Sequence, residues 1–160
     1  MTSRVGIGHD AHRFASGRRL VLCGVDIDHH QGLSGHSDAD VATHAVIDAL
    51  LGAAGMGDIG ALFPDTDPAY EGASSVGLLR DVAGRLAAAG WRVVNVDVVI
   101  VCERPKLGGH RAAMAAELAA ALAVSADAVG VKATTTEGMG FEGRGEGISA
   151  TAVCLLEAEG

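Results

Sequence analysis

The sequence has few aromatic residues, few basic residues and no long apolar run. Aromatic side chains make up 3% of the 160 residues, so a core must be built mainly from Ala, Val, Leu and Ile. Lys and Arg number 12 against 20 Asp and Glu, and the formal net charge of −8 argues against a nucleic-acid partner, because phosphate backbones are bound by clustered positive charge. The chain shows neither an apolar run of membrane-spanning length nor the apolar segment of a signal peptide. We therefore expect a cytoplasmic protein with no nucleic-acid or membrane partner.

Cysteine is also scarce. The three residues of this type, Cys23, Cys102 and Cys154, lie far apart in apolar segments. Their odd number and wide separation predict reduced, buried thiols rather than a disulfide framework. The alternative is a catalytic thiol, but none of the three has a histidine or basic residue clearly placed beside it.

The chain length and the pattern of apolar residues indicate one domain of mixed secondary structure, because 160 residues can bury one substantial core but not two. The polar segment 58–75 holds two of the three prolines and is predicted to be a long functional loop. Strands are predicted over residues 3–8, 19–27, 93–102, 129–136 and 147–158. Helices are predicted over residues 38–54, 74–89 and 110–123. We expect a single α+β domain spanning residues 1–160, with helices on one face of a mixed or antiparallel sheet of about four main strands plus a hairpin.

Two short segments, residues 8–14 and 36–48, concentrate side chains that bind metals. Alternate side chains of a strand share a face, so Asp10 and His12 are predicted to point in the same direction. Together with His44 they offer two nitrogens and one carboxylate oxygen. Three protein ligands with an open fourth position are the pattern of a catalytic zinc site. The alternative is that a D-x-H pair and a helical histidine are ordinary surface or core residues.

The segment from residue 38 to 54 has the apolar spacing of a helix. Ser37 followed by Asp40 is typical of a capping box. Because residues four apart stack on a helix, Asp40, His44 and Asp48 are predicted to form one polar stripe. Asp48 lies one turn beyond His44, which is a suitable spacing for a carboxylate that orients a metal-binding imidazole without touching the metal.

Two further segments suit phosphate binding. Residues 102–107, C-E-R-P-K-L, follow a predicted strand and place Lys106 where it can meet an anion. Residues 132–147 combine three consecutive threonines with five glycines, and hydroxyls with free backbone amides can cradle phosphate oxygens. Glu137 can hold a hard cation such as Mg²⁺. The alternatives are an exposed loop with ordinary charges and a flexible hairpin.

Taken in order, these segments resemble the 2-C-methyl-D-erythritol 2,4-cyclodiphosphate synthase family of the non-mevalonate isoprenoid pathway. The resemblance runs over essentially the whole chain: G-x-D-x-H near the start, then HSDADVATHAVIDALLGAAGMGDIGALFPDTDP, ERPKL, KATTTEGMGFEGRGEGI and a closing strand. His9 and Ala11 stand where an aromatic residue and Val are more usual in the family, which removes no expected ligand. The resemblance is to the synthase without a cytidylyltransferase domain ahead of it, so we expect the monofunctional form.

The resemblance implies a specific reaction. Family members convert 4-diphosphocytidyl-2-C-methyl-D-erythritol 2-phosphate into the cyclic diphosphate and release CMP. The 2-phosphate of the substrate attacks the β-phosphorus, so no protein nucleophile is required, and catalysis reduces to positioning and charge stabilisation.

The resemblance also implies metal ions and catalytic residues. One Zn²⁺ per active site, whose open position takes a β-phosphate oxygen, is expected on Asp10, His12 and His44. Mg²⁺ or Mn²⁺, bound across the α- and β-phosphates of the substrate, is expected on Glu137. The positions that match those assigned to transition-state stabilisation are His36 and Thr135, and Asp48 is expected behind the zinc ligands.

The remaining matched positions would contact the substrate. The loop that holds the methylerythritol unit matches Asp58, Ile59, Gly60, Phe63, Pro64, Asp65, Thr66 and Asp67. The cytidine pocket matches Cys102, Glu103, Arg104, Pro105, Lys106, Leu107, Gly108, Thr134 and Thr135. Other substrate-contacting positions, some of them shared with the metal set, are Asp10, His12, His36, Ser37, Thr136, Glu137, Phe141 and Arg144.

Family members are homotrimers with active sites between neighbouring subunits, and the sequence offers a reason for this assembly. Helices on one face would leave the other face of a Val- and Ile-rich sheet uncovered, and three such faces around an axis would bury it. The positions that match the lining of the central channel are Phe141, Arg144 and Glu146. That channel also admits an isoprenoid diphosphate as a ligand.

Two other classes of function stay open. A metal-dependent phosphohydrolase would use the same three ligands to activate water and would release inorganic phosphate from simple phosphoesters. A non-catalytic trimer that binds an isoprenoid diphosphate in its channel would keep that binding after loss of His44. Neither alternative accounts for the match of E-R-P-K-L to a cytidine pocket.

Overall fold

The computed structural model describes residues 1–160, and its largest element is a five-stranded mixed sheet with the strand order β4-β1-β7-β5-β6. β7 pairs antiparallel with both β1 and β5, whereas β5 and β6 are parallel. The strands of this sheet are β1 (Ser3–Ala15), β4 (Gly32–Leu33), β5 (Trp91–Val101), β6 (Val129–Thr134) and β7 (Gly147–Ala158). A mixed sheet with four main strands confirms the α+β prediction.

Three long helices cover one face of this sheet. They are α1 (Val41–Ala54), α3 (Ser75–Ala88) and α4 (Arg111–Leu122); two single-turn helices are α2 (Ile59–Leu62) and α5 (Gly140–Gly143). α1 packs on β1 and β7, and α3 and α4 pack on β5 and β6 respectively. The helices meet every second residue of β7, which is buried at Ile148, Ala150, Ala152, Cys154 and Leu156. No helix combines the length and the apolarity that crossing a membrane would require.

The structure corrects three predicted elements. Residues 19–27 are not one strand but a separate hairpin of β2 (Leu20–Leu22) and β3 (Val25–Ile27). Its two-residue turn has positive φ at Cys23 (50°) and Gly24 (74°), the geometry that closes tight hairpins. β1 is longer than predicted and continues to Ala15. The segment 58–75 is not a plain loop, because it contains α2 and a 3₁₀ turn at Pro68–Tyr70.

The start of α1 also differs from the predicted capping box. The N-cap is Asp40, whose carboxylate accepts hydrogen bonds from the backbone N–H of Thr43 (3.1 Å) and of Cys23 and Gly24 (2.8 Å each). A fully buried carboxylate needs several donors, and the hairpin turn supplies two of them. Asp40 therefore joins the hairpin to α1 and is not part of a polar stripe with His44.

Two glycines bring α1 unusually close to β1. A Cβ atom on Gly6 would lie 1.8 Å from the carbonyl oxygen of Ala49, and one on Gly8 would lie 2.0 Å from that of Ala45. Only residues without a side chain permit this approach. Because His44 precedes Ala45 and Asp10 follows Gly8 by two positions, the contact brings the two functional segments together.

The other face of the sheet carries exposed apolar side chains. Val5 and Ile7 on β1 are 70% and 69% exposed, and Val153, which pairs with Ile7 across β1 and β7, is 44% exposed. Contiguous apolar surface of this kind marks an interaction site. The predicted uncovered sheet face is thus confirmed.

Candidate active site

Asp10, His12 and His44 form a compact cluster at the end of β1. His12 Nε2 lies 2.9 Å and His44 Nδ1 lies 3.0 Å from Asp10 Oδ2, and the two nitrogens are 3.2 Å apart. All three ligand atoms lie within 4.8 Å of one another. Asp10 and His12 share the face of β1 that meets α1, as predicted. Two imidazole nitrogens and one carboxylate oxygen converging in this way fit a zinc ion with an open coordination position.

Both imidazoles are held from outside the cluster. His12 Nδ1 lies 2.8 Å from the carbonyl oxygen of Ser34. His44 Nε2 lies 2.8 Å from Ser75 Oγ and 3.1 Å from Ser37 Oγ. The nitrogen of each ring that faces the cluster is therefore the one available to a cation, and such outer contacts are typical of metal-binding histidines.

The cluster is electrostatically coupled. Burial disfavours the charge on Asp10, but the hydrogen bonds and positive charge of His12 and His44 in their protonated form outweigh burial and hold the pKa of Asp10 well below its usual range. Burial likewise opposes the charge on His12, yet the Asp10 carboxylate raises the pKa of His12 above its ordinary value. The carboxylate thus stays ionised and attracts positive charge, which a metal cation can supply in place of a proton.

Asp48 does not perform the predicted role. Its carboxylate accepts a hydrogen bond from the backbone N–H of Ile59 (2.8 Å) and so anchors the start of α2. An imidazole has only two nitrogens, and those of His44 are already engaged by the cluster on one side and by Ser75 and Ser37 on the other. The hydroxyls of two serines take the place that the sequence assigned to Asp48.

A pocket of about 360 Å³ opens beside the cluster. Besides the three ligands, its walls include predicted positions of the methylerythritol loop and the preceding segment: His36, Ser37, Ile59, Gly60, Phe63 and Asp65. The pocket also includes Gly35, Tyr70 and Leu78, which the sequence did not indicate. Phe63 and Tyr70 meet edge to face at 5.2 Å, giving the pocket an aromatic wall.

Four other predicted loop positions do not line this pocket. The carboxylates of Asp58 and Asp67 accept from the backbone N–H of Ala61 (2.8 Å) and Ala69 (2.9 Å) and cap short helical turns. Pro64 and Thr66 are exposed in the same loop. Their contact with substrate stays a prediction.

The segment that carries His36 is tied on both sides. His36 Nε2 donates to the carbonyl oxygen of Asp67 (2.9 Å). The guanidinium of Arg18 donates to the carbonyl oxygens of Gly35 (2.6 Å) and Ser37 (2.7 Å). The sequence does not indicate a role for Arg18, because a single arginine in the turn after β1 belongs to no recognisable spacing pattern.

A second pocket, of about 350 Å³, lies where β5 and β6 end. Four of the seven predicted cytidine-pocket positions after β5 line it, together with both predicted threonines. Its walls are Cys102, Lys106, Leu107, Gly108, Arg111, Ala133, Thr134 and Thr135. Arg111, at the start of α4, adds a second cation that the sequence did not indicate. Burial raises the pKa of the Cys102 thiol to about 11, which fits a packing role better than a nucleophilic one.

Glu103 holds the threonine-glycine loop in place. Its Oε1 accepts from the backbone N–H groups of Thr136 (3.1 Å) and Gly138 (3.2 Å). Glu137 lies between these anchors with a left-handed backbone (φ 55°) and an exposed side chain. Arg104 is exposed and Pro105 half-buried in the adjoining loop. Glu103 therefore fixes the backbone of the loop, and the carboxylate of Glu137 is exposed to solvent.

The two pockets lie at one level of the sheet. Asp10, Ala150, Ile100 and Ala133 form a row across β1, β7, β5 and β6. Neighbouring strands are about 4.8 Å apart, so three steps separate Asp10 from Ala133 by roughly 14 Å. The pockets share no lining residue. The residues expected at the metal and those expected at the cytidine thus form two separate half-sites within one chain.

The predicted channel residues lie around α5. Phe141 and Glu146 line a third pocket with residues of β1 that include His12 and Arg13. Arg144 forms an ion pair with Glu146 (2.8 Å between Nη2 and Oε2), and both side chains are exposed. Arg144 and Glu146 thus pair within one chain.

Comparisons with known proteins show which proteins the chain is similar to in sequence and in fold. A model described as the YgbB family matches residues 3–157. A 2-C-methyl-D-erythritol 2,4-cyclodiphosphate synthase from Syntrophomonas wolfei subsp. wolfei is 58% identical over 154 residues, covering 96% of this chain and 98% of the relative. The structure of the bifunctional IspDF from Campylobacter jejuni matches with a TM-score of 0.95 at 40% identity, covering 98% of this chain and 42% of that one. A 2C-methyl-D-erythritol-2,4-cyclodiphosphate synthase solved in its CDP-bound form matches with a TM-score of 0.88 at 42% identity, covering 96% of this chain and 100% of that one.

Proposed function

The chain belongs to the YgbB family, and from this premise we propose that it catalyses the cyclisation for which its relatives are named. It converts 4-diphosphocytidyl-2-C-methyl-D-erythritol 2-phosphate into 2-C-methyl-D-erythritol 2,4-cyclodiphosphate and CMP, and is a cyclising phosphorus–oxygen lyase of isoprenoid biosynthesis. The observation that carries this proposal is the three-ligand cluster at a pocket mouth in a chain 58% identical to a synthase over nearly its full length.

The reaction is an intramolecular phosphoryl transfer. An oxygen of the 2-phosphate forms a bond to the β-phosphorus while the bond from that phosphorus to the CMP oxygen breaks. One P–O bond forms and one breaks, and no water enters. The protein therefore has to fold the substrate into a ring-closing conformation and to stabilise charge on the phosphates.

Asp10, His12 and His44 would hold one Zn²⁺ per active site. The fit rests on the converging Oδ2, Nε2 and Nδ1 atoms and on the outer hydrogen bonds that leave both nitrogens facing the cluster. A bound cation supplies positive charge that stabilises phosphate oxygens. The adjacent pocket wall of Phe63 and Tyr70 suits the carbon skeleton of the methylerythritol unit.

The second half-site would hold the cytidine diphosphate. Lys106 and Arg111 line it and can pair with phosphate oxygens, and Thr135 offers a hydroxyl. Glu137 would help hold Mg²⁺ or Mn²⁺ with the substrate diphosphate, since its carboxylate is exposed and Glu103 anchors the backbone N–H groups of the residues on either side of it. His36, tied to Asp67 beside the metal cluster, would stabilise the transition state.

The two half-sites would be joined by assembly into a homotrimer, with each active site between neighbouring subunits. Support comes from the exposed apolar strip of Val5, Ile7 and Val153 and from the separation of the two pockets within one chain. The channel along the axis would be lined by Phe141, Arg144 and Glu146, and would admit an isoprenoid diphosphate. The single contiguous core of 37 buried residues supports one domain over residues 1–160, and the three free, buried thiols support a cytoplasmic location.

The test is to incubate the purified protein with the cytidine substrate and Mg²⁺ and to separate the products. The proposal expects CMP and the cyclic diphosphate in equal amounts. Inorganic phosphate, released from this substrate or from simple phosphoesters, would favour a metal-dependent phosphohydrolase. Binding of an isoprenoid diphosphate without turnover, unaffected by His44→Ala, would favour a non-catalytic trimer. Light scattering on the same sample tests the trimer, which a stable monomer would contradict.

A further inference from the structure

A buried chain of hydrogen bonds connects the metal cluster to a carboxylate behind it. His44 Nε2 lies 2.8 Å from the hydroxyl oxygen of Ser75. That hydroxyl donates to Asp38 Oδ1, and the backbone N–H of Ser75 donates to Asp38 Oδ2 (3.1 Å). Ser75 is fully buried at the first residue of α3. Neither Ser75 nor Asp38 is among the positions that the family resemblance assigns to metal or substrate binding.

The direction of each hydrogen bond in this chain follows from its members. A carboxylate only accepts, so the single proton of the Ser75 hydroxyl is committed to Asp38. The Ser75 oxygen is then left as an acceptor towards His44, and Nε2 must donate. Ser37 Oγ, 3.1 Å from the same nitrogen, already accepts from the backbone N–H of Ala39 and can serve as a second acceptor.

We propose that Ser75 is a positioning residue that, with Asp38, fixes His44 in the tautomer protonated on Nε2. In the neutral ring Nδ1 is then unprotonated, and its lone pair is available to a cation that would bind between it, Asp10 Oδ2 (3.0 Å away) and His12 Nε2 (3.2 Å away). His12 is fixed in the opposite sense, because its Nδ1 donates to the carbonyl oxygen of Ser34 and leaves Nε2 free. The inference rests on the proposed metal site, since it concerns which nitrogen of a metal-binding histidine carries the proton before the metal binds.

The tautomer of His44 should affect the affinity of the site for zinc. With the other tautomer, a proton would occupy the position of the metal–ligand bond and would have to be removed before a cation binds. Outer contacts of this kind change metal affinity by roughly 10- to 100-fold when they are removed. Ser37 remains as an acceptor, so Ser75→Ala should weaken zinc binding without abolishing it.

The first test uses the unaltered protein. Long-range ¹H–¹⁵N NMR of histidine-labelled, metal-free protein at alkaline pH reports which nitrogen of His44 carries the proton. We expect Nε2. A proton on Nδ1 would overturn the inference whatever the metal content of the protein, so this result is independent of the proposed function.

The second test compares two neighbouring hydroxyls by chelator competition for zinc. Ser75→Ala should raise the zinc dissociation constant by roughly 10-fold or more. Ser74→Ala is the matched control, because Ser74 Oγ accepts from the N–H of Gly77 and caps α3 without touching His44. The control should weaken the helix and leave zinc affinity unchanged. Equal zinc affinity in Ser75→Ala and the wild type would overturn the inference.

Asp38→Asn provides a second variant if Ser75→Ala does not fold. A carboxamide can donate to Ser75 Oγ, which frees the serine proton to point at Nε2 and favours the wrong tautomer of His44. We expect weaker zinc binding and a proton signal on Nδ1 in the same variant. Wild-type affinity and tautomer in folded Asp38→Asn would refute the role of the carboxylate. A wild-type protein that binds no zinc at all would instead refute the metal site, and the tautomer measurement would still decide the role of Ser75.

Discussion

Gly8 and Ala45 are in direct backbone contact: a Cβ atom added to Gly8 would lie 2.0 Å from the carbonyl oxygen of Ala45 and 2.6 Å from the nitrogen of Ala49. This contact fixes the distance between β1 and α1. Asp10 and His12 lie on β1 and His44 on α1, so the geometry of the metal cluster depends on a glycine that is not itself a ligand.

Gly8→Ala should therefore disturb the metal cluster as well as the fold. The added methyl group meets backbone atoms that cannot rotate away, so α1 must move and the free energy of unfolding should fall by about 1–3 kcal/mol or more. Zinc affinity should fall with it. Gly52→Ala is the control, because Gly52 lies in α1 with no atom near its missing Cβ; it should stabilise the protein by about 0.5–1 kcal/mol and leave zinc bound. Denaturant unfolding and chelator competition measure both effects, and equal behaviour of the two variants would contradict the account.

His44→Ala removes one of three ligands. Since three protein ligands are already the minimum for a catalytic zinc site, tightly bound zinc and most activity should be lost while circular dichroism stays like that of the wild type. His30→Ala, which alters an exposed histidine of another loop, should keep both. Elemental analysis of the purified variants measures the zinc content. Wild-type zinc in folded His44→Ala would remove His44 from the ligand set.

Glu137→Gln and Thr135→Ala should separate the two metals. Glu137→Gln removes a charge but keeps the shape, so zinc should remain bound while turnover falls and requires more Mg²⁺ or Mn²⁺. Thr135→Ala removes a hydroxyl and should lower turnover without changing the Mg²⁺ requirement. The measurement is activity against Mg²⁺ concentration. If Glu137→Gln and the wild type depend on Mg²⁺ identically, Glu137 is not the magnesium ligand.

The cysteine thiols should be unreactive in the folded protein. Burial raises the pKa of Cys102 and of Cys154 to about 11 and raises that of Cys23 well above its ordinary value, so the neutral thiol is the form present at and below neutral pH. At about three pH units below such a pKa only roughly one thiol in a thousand is ionised, and the thiolate is the reactive form. A colorimetric thiol reagent should react slowly at mildly alkaline pH, and with all three cysteines after denaturation. A fast-reacting thiol in the native protein would reopen the possibility of a catalytic cysteine.

Local periodicity was sufficient to predict part of the site. The alternation of β1 placed Asp10 and His12 on one face, and the helical spacing of residues 38–54 placed His44 on a helix. Neither pattern states how close the strand and helix come, which depends on Gly6 and Gly8 beneath Ala49 and Ala45. Sequence spacing also assigned Asp48 to His44, because a neighbour one turn away is the only partner that spacing can reveal.

The partner that the structure reveals, Ser75, is 31 residues from His44 along the chain. Only the packing of α3 against α1 brings the two together, and a serine at the start of a helix is otherwise typical of capping. For the same reason Arg18 and Arg111 were missed: each acts across an interface between elements. The hairpin at residues 20–27 was mistaken for one strand because its turn, Cys23–Gly24, lies within an apolar run.

The central claim, that the substrate's own phosphate is the nucleophile, is tested most directly by running the reaction in water enriched in ¹⁸O. CMP and the cyclic diphosphate are separated, and their masses are measured by mass spectrometry. Because the bond that forms uses an oxygen already present in the substrate, the account predicts both products without any solvent-derived ¹⁸O. Incorporation of one ¹⁸O atom into either product, or the appearance of labelled inorganic phosphate, would mean that water attacks phosphorus and would contradict the account.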